Sequence, residues 1–144
     1  MSLYIGLMSG TSLDGVDGVL AELPDGDASA IAVRAHQHNP FDDELRARLL
    51  RLNRSGPDEL HLAALAANAL VRIYAEVVAA LLRQCSLSAG QVRAIGAHGQ
   101  TVRHRPGEFD GTGYTLQLMN GALLAELSGI DVVCDLRSRD LPAG

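Results

Sequence analysis

The chain has no surplus of positive charge. Across 144 residues, 12 Lys and Arg stand against 17 Asp and Glu, a formal net charge of −5. That balance argues against a nucleic-acid binder that works by neutralising phosphates. It leaves room for a small anion, which a local nest of backbone N–H groups can hold inside an acidic protein. Cysteine is scarce: Cys85 and Cys134 lie far apart, without metal-ligand spacing. Both are expected as buried free thiols, which suits the cytoplasm. No basic stretch precedes an apolar core at the N-terminus, so no signal peptide is expected. The long apolar segment after Pro57 carries Asp58, Glu59, His61, Arg72, Glu76 and Arg83, too many charges for a membrane span. Repeats, low-complexity tracts and interdomain linkers are also missing. What remains is a soluble globular domain with 47% hydrophobic residues, long enough to bury a core.

Apolar spacing organises that domain. Leu3–Met8 is long enough for one buried strand and too short for a helix. Val16–Leu23 reads as its return, and Pro24-Asp25-Gly26-Asp27 as a turn. Ile31, Val33 and Ala35 alternate with Ala32, Arg34 and His36 in a third strand with one exposed face. The short connections make these three strands antiparallel neighbours. A short helix follows, with Asp42, Asp43 and Glu44 at its start and Leu45, Leu49 and Leu52 on its apolar face. Ser55 as cap and Pro57 as first residue open a second, long helix ending near Gln84, with His61 and Asn68 as polar interface residues. Leu87-Ser88-Ala89 reads as a helical stub and Val92–Ala97 as a strand reached by a parallel crossover. Pro106–Gly113 forms the tip of a hairpin flanked by Val102-Arg103-His104 and Tyr114–Leu118. Asn120-Gly121 leads a short helix over Ala122–Leu127, stopped at Gly129, and Ile130–Cys134 is a last buried strand. The fold class is α/β, with a mixed five-stranded sheet, its first three strands antiparallel, and flanking helices.

The densest polar chemistry lies between the first two strands. From Ser9 to Asp17 the chain sets three hydroxyls, two carboxylates and two glycines within nine residues. Backbone donors and hydroxyls of such a loop can hold a phosphate, and Asp14 and Asp17 can offer oxygens to Mg²⁺, directly or through water. A plain hairpin turn rich in Gly and Ser is the competing reading. The loop is not a P-loop, because no Lys follows the glycine and no helix follows the turn. Nor is it a hydrolase elbow, since Ser9 and Ser12 lack glycines at the G-x-S-x-G offsets.

Two more polar clusters each follow an apolar strand, and ligand sites of α/β sheets gather at strand ends. His98, Gln100, Thr101, Arg103 and His104 suit hydrogen bonding to a polyhydroxy or anionic ligand. His98 and His104 make a weaker zinc pair, six residues apart with no third ligand nearby, and His98 as a simple strand end is the plainer alternative. Asp135-Leu136-Arg137-Ser138-Arg139-Asp140 offers an Arg for a phosphate and an Asp for a metal or hydroxyl, against a solvated loop stitched by ion pairs.

Gly6–Asp17, Ala97–Pro106, Thr115–Leu118 and Asp131–Asp140 together closely resemble the anhydro-N-acetylmuramic acid kinases, over nearly the whole chain and in the same order. The resemblance implies an actin-like ATPase fold in which residues 1–144 form the N-terminal RNase H-like domain of a two-domain kinase. It also implies ATP-dependent ring opening and phosphorylation of 1,6-anhydro-N-acetylmuramic acid to N-acetylmuramic acid 6-phosphate, a step of peptidoglycan recycling and amino sugar metabolism. ATP and Mg²⁺ are the implied cofactors. Gly10, Thr11, Ser12, Leu13, Asp14, Gly15, Val16 and Asp17 are the implied ATP-binding stretch. Ser9, His98, Gln100, Thr101, Arg137 and Asp140 are implied to line the cleft. Where many sugar kinases carry an Asp in strand one this chain has Leu7, which passes the metal role to Asp14 or Asp17. The general-base Asp is expected downstream of residue 144, so these residues alone are expected to be inactive. The small sugar and ATP are the expected partners, with no nucleic acid or membrane; a homodimer is left open. Two other classes stay in play: a non-catalytic nucleotide or sugar-binding module, and an RNase H-type nuclease using Asp14, Asp17, Asp135 and Asp140.

Overall fold

A computed structural model describes residues 1–24 and 30–144. The expected Pro24–Asp27 turn therefore lies largely outside the described residues.

The sheet grows from three antiparallel strands. β1 (Ser2–Met8) pairs with β2 (Gly15–Leu23) in a register that sets Met8 opposite Asp17 and Ile5 opposite Leu20. β3 (Ala32–Pro40) pairs with the far side of β2. Alternation sends Ile5, Leu7, Val16 and Leu20 to one face, where all four are buried. α1 (Asp43–Arg51) opens on Asp42, whose carboxylate accepts from the Leu45 N–H at 2.7 Å. α2 (Glu59–Gln84) then crosses the buried face and delivers the chain to β4 (Val92–Ala97), which runs parallel to β1. β5 (Gln100–Pro106) and β6 (Gly113–Leu118) form a separate two-stranded hairpin. α3 (Gly121–Ser128), capped by the Asn120 side chain and closed by Gly129 at φ 68°, leads to β7 (Val132–Val133), parallel to β4. The five-stranded order is β3-β2-β1-β4-β7. This mixed sheet with flanking helices accords with the actin-like ATPase architecture expected from the sequence.

α2 carries the core. Leu70, Val71, Tyr74, Val77, Val78 and Leu81 are fully buried against β1, β2 and β4, each aliphatic side chain adding about 1.5–3 kcal/mol of transfer free energy. The helix sits close because β2 makes room: a Cβ at Gly18 would come within 2.4 Å of Val77 Cγ1. α2 is apolar and long enough to cross a membrane by composition; here its buried stripe faces the sheet. A second cluster of Leu13, Leu45, Leu49, Leu52, Ala66 and Val102 joins the β1–β2 loop to α1, α2 and β5. The opposite face of the sheet carries no helix among the described residues, and Met8, Val33 and Val133 are exposed there.

Several elements depart from the sequence expectation. β3 does not bury Ile31 and Val33: the register shift between Leu20 and Ala21 leaves Arg34 as an extra residue, so of the three only Ala35 meets the core. Ser55 does not cap α2, which starts after Asp58, itself left-handed at φ 57° and without a side-chain cap bond. The stub before β4 is a 3-10 turn over Ala89–Gln91, locked by a reciprocal Ser88–Gln91 capping box. β7 is an edge strand of two residues with Val133 exposed, where a buried strand over Ile130–Cys134 was expected; of that run only Ile130 is buried. His61 is exposed, whereas Asn68 accepts from Asn120 Nδ2 at 2.8 Å across α2 and α3. Both cysteines are free and half-buried rather than buried. A short α4 (Asp140–Ala143), not expected from the sequence, closes the chain.

Candidate functional site

Because β1, β4 and β7 are parallel, their C-terminal ends open on one edge of the sheet, where ligands of α/β sheets bind. The β1–β2 loop starts there. Ser9 is buried; its hydroxyl donates to the Gly99 carbonyl at 3.2 Å and lies 3.0 Å from the Tyr74 hydroxyl. The serine's only proton goes to Gly99, so Tyr74 donates to Ser9. Burial holds the Tyr74 hydroxyl protonated, pushing its pKa up to about 12. Ser9 thus fastens the loop from behind rather than facing a ligand.

Beyond Ser9 the loop turns tightly, the Leu13 N–H donating to the Gly10 carbonyl at 3.2 Å. Leu13 is left-handed at φ 55° and buried in the second hydrophobic cluster. That anchor leaves Thr11, Ser12 and Asp14 exposed at the tip. Ser12 Oγ donates to Asp14 Oδ1 at 2.9 Å, which holds the Asp14 carboxyl below its ordinary value and hence ionised. Gly15 is obligatory where the loop re-enters the sheet: a Cβ there would lie 2.3 Å from the Asn39 carbonyl oxygen. Val16 is fully buried and belongs to the core. Asp17 lies on the uncovered sheet face, its Oδ1 3.0 Å from His36 Nε2 and 3.1 Å from His38 Nδ1.

The β4–β5 turn packs directly on this loop. The His98 N–H donates to the Leu7 carbonyl at 3.0 Å, and Gln100 Nε2 donates to the Gly10 carbonyl at 3.1 Å. Gln100 is fully buried and its Oε1 has no hydrogen-bond partner, an uncompensated cost of about 1–3 kcal/mol. His98 is half-buried with Nδ1 3.0 Å from the Gly99 carbonyl. Thr101 Oγ1 accepts from Gln117 Nε2 at 3.0 Å, and His104 is exposed with Nδ1 3.2 Å from Thr115 Oγ1. Among the described residues no three His, Cys, Asp or Glu side chains form a metal-binding group. A cavity of about 230 Å³ lies between the loop and β5, bordered by Thr11, Asn53, Gln100, Thr101, Arg103 and His104.

The third cluster leaves β7 at the same sheet edge, and its bonds stay local. Ser138 Oγ donates to Asp135, and Arg137 Nε donates to Asp140 Oδ2 at 3.1 Å. Hydrogen bonds therefore join the first two clusters, while those of the third stay within it, and α4 packs against β6.

Sequence reasoning missed Tyr74, whose hydroxyl lies inside an apolar helical pattern and bonds to a residue 65 positions away. It also missed Asn53, which lines the cavity from the α1–α2 connection. Arg103 was seen as a ligand-binding group, yet its Nη2 bonds to Glu59 on α2 and its Nε to the Leu52 carbonyl at 3.2 Å. The Glu59 contact raises its pKa further.

Comparison with known proteins follows the same lines. A family model described as anhydro-N-acetylmuramic acid kinase matches residues 2–144. Curated proteins of that name are similar throughout: one from Variovorax paradoxus (strain S110) is 66% identical over 142 residues, covering 99% of this chain and 37% of the relative. Those from Albidiferax ferrireducens and Cupriavidus metallidurans are 63% and 58% identical, each over 99% of this chain and 36% and 37% of their own lengths. The chain thus spans little more than a third of the relatives it matches.

Proposed function

The chain belongs to the anhydro-N-acetylmuramic acid kinase family, and on that footing we propose that it supplies the phosphate-binding wall of a cytoplasmic enzyme of peptidoglycan recycling. That enzyme opens the anhydro bridge of 1,6-anhydro-N-acetylmuramic acid with water and phosphorylates O6 from ATP. Water adds its oxygen to C1, the C1–O6 bond breaks, O6 takes the γ-phosphoryl group, and ADP leaves. The base that takes the water proton is not assigned to any of these 144 residues.

One observation carries the reading: the β1–β2 loop and the β4–β5 turn form a single wall, joined by Gln100 to Gly10 and by Ser9 to Gly99. A wall fixed from behind presents its tip without reorganising, which is what stabilising a transferring phosphoryl group requires. Thr11 and Ser12 are the groups we assign to the phosphates. When bound, Mg²⁺ offsets the phosphate charge. Asp14 fits that role: it is ionised and exposed, and Mg²⁺ usually takes one or two carboxylates plus phosphate oxygens and water. Asp17, engaged by His36 and His38, fits it less well.

The test is ATP-dependent phosphorylation of the anhydro sugar by the full-length protein, followed by the mass gain of the product and by ADP release. Asp14→Ala is expected to lower turnover by about tenfold or more, equivalent to roughly 1.4 kcal/mol in the barrier, with the melting temperature unchanged. Wild-type turnover in that variant removes Asp14 from the site. Sugar and ATP binding without transfer by the full-length protein would favour a binding module instead.

A further inference from the structure

Arg103 borders the cavity beside the loop, yet its guanidinium is committed elsewhere. The side chain is only 14% exposed, and two of its nitrogens reach two different elements. Nε donates to the Leu52 carbonyl at 3.2 Å and Nη2 to the Glu59 carboxylate. Leu52 is the C-terminal cap of α1 and Glu59 the first residue of α2, so one side chain on β5 grips both ends of the connection between the helices. The last carbonyls of a helix have no partner within it. At the other end α2 begins without a side-chain cap, after Asp58 in a left-handed conformation at φ 57°. A residue other than glycine stays there only where its surroundings hold it. The backbone N–H groups of Asn53 and Arg54 bond back into α1, to the Leu50 and Arg51 carbonyls, and do not tie the connection to the sheet.

We propose that Arg103 is a positioning residue for the β1–β2 loop: by clipping the α1–α2 connection to β5 it fixes the apolar seat that anchors Leu13, and with it the tip from Thr11 to Asp14. The assignment rests on the kinase reading for what the loop holds and goes further in naming what holds the loop. Leu13 is buried in one cluster with Leu52, whose carbonyl Arg103 engages, and with Val102, the residue before Arg103. The loop is thus held twice. Tyr74, Gly99 and Gln100 fasten Ser9 and Gly10, while the seat holds Leu13, whose N–H closes the turn on the Gly10 carbonyl. Leu13 is itself left-handed at φ 55°, so its backbone also depends on what surrounds it. A lysine does not replace this clip. Its ammonium is a point charge that can meet Glu59, whereas the planar guanidinium offers donors in two directions at once.

The test uses the full-length protein and the variants Arg103→Met and Arg103→Lys. Amide exchange is followed at Leu13 and, as an internal reference, at His98, whose N–H donates to the Leu7 carbonyl. Loosening confined to the seat is expected to speed Leu13 exchange about tenfold and to leave His98 within about twofold, because a local opening exposes only its own amides. Equal acceleration at both positions marks a general loss of stability and overturns the assignment, as does Leu13 exchange left at the wild-type rate. Should Arg103→Met not fold, Arg103→Lys carries the same measurement. A lysine variant that matches wild type reduces the clip to an ion pair and overturns it too. In ATP-dependent phosphorylation of the anhydro sugar, a misplaced loop should lower kcat about tenfold and leave KM for the sugar unchanged. A raised sugar KM at unchanged kcat makes Arg103 a binding group instead. Exchange is read whether or not transfer occurs. Transfer by the wild type with unmoved Leu13 exchange in the variants defeats the clip alone, and faster Leu13 exchange without wild-type transfer defeats the kinase reading alone.

Discussion

The β1–β2 loop and the Asp135–Asp140 segment leave the same edge of one sheet, and they are held in opposite ways. The first is fastened from behind by Tyr74, Gly99 and Gln100, whose chain positions are 65 to 90 residues away from the loop residues they bond. The second is stitched to itself over three residues, by Asp135 with Ser138 and by Arg137 with Asp140. Both are dense in polar groups, so density alone does not identify a built site. Long-range bonds from buried partners do, because they fix a loop whether or not a ligand is present.

Four substitutions would sharpen or break that contrast. Gly15→Val forces a side chain against the Asn39 carbonyl and is expected to cost about 3 kcal/mol, read as a large fall in melting temperature; a neutral result would mean that the loop re-entry is plastic. Tyr74→Phe keeps the ring and removes the proton that Ser9 accepts. It should cost about 1–2 kcal/mol and speed amide exchange at Gly10 and Gly99. If exchange there stays slow, the loop is not held from behind.

Ser12→Ala acts on charge and not on packing. Without the hydroxyl, the Asp14 pKa should rise toward the ordinary carboxylate value, which an NMR titration of the Asp14 carboxyl reads directly. A depressed folded-state pKa gives stability that is present above the unfolded value and lost as pH falls through the folded one. Any stability difference between wild type and variant should accordingly vanish in acid. Arg137→Ala removes an exposed i,i+3 pair and is expected to shift stability by less than about 0.5 kcal/mol. A loss as large as that of Tyr74→Phe would place the third cluster on the same footing as the loop.

Much of this was legible in the chain because it depends on local periodicity. Leu3–Met8, Val16–Leu23 and Val92–Ala97 alternate or run apolar, and the strands follow within a residue or two. Leu45, Leu49 and Leu52 gave the buried stripe of α1 and its end. The parts that escaped depend on geometry beyond one element. Nothing in Ile31–Ala35 signals that Arg34 sits in a bulge, because a bulge arises from pairing with a partner strand. Asp58 in a left-handed conformation is set by the connection between two helices, not by capping preference. At the site, the hydroxyls and carboxylates of Ser9–Asp17 were visible as composition. Which of them turn inward was not: Ser9 is inward because Tyr74 waits on α2, and Asp17 turns to the other face because alternation takes it there.

The Arg34 bulge also bears on the behaviour of the folded protein in concentrated solution. β3 is the outermost strand of the sheet, nine residues long, and an unpaired edge of that length is a template for adding a strand from another molecule. Here the bulge interrupts the regular row of donors and acceptors near one end. Pro40, which has no N–H to offer, closes the other. Between them His36 and His38 keep polar groups at the exposed rim. The residue that breaks the strand's alternation thereby helps keep neighbouring copies from zipping together.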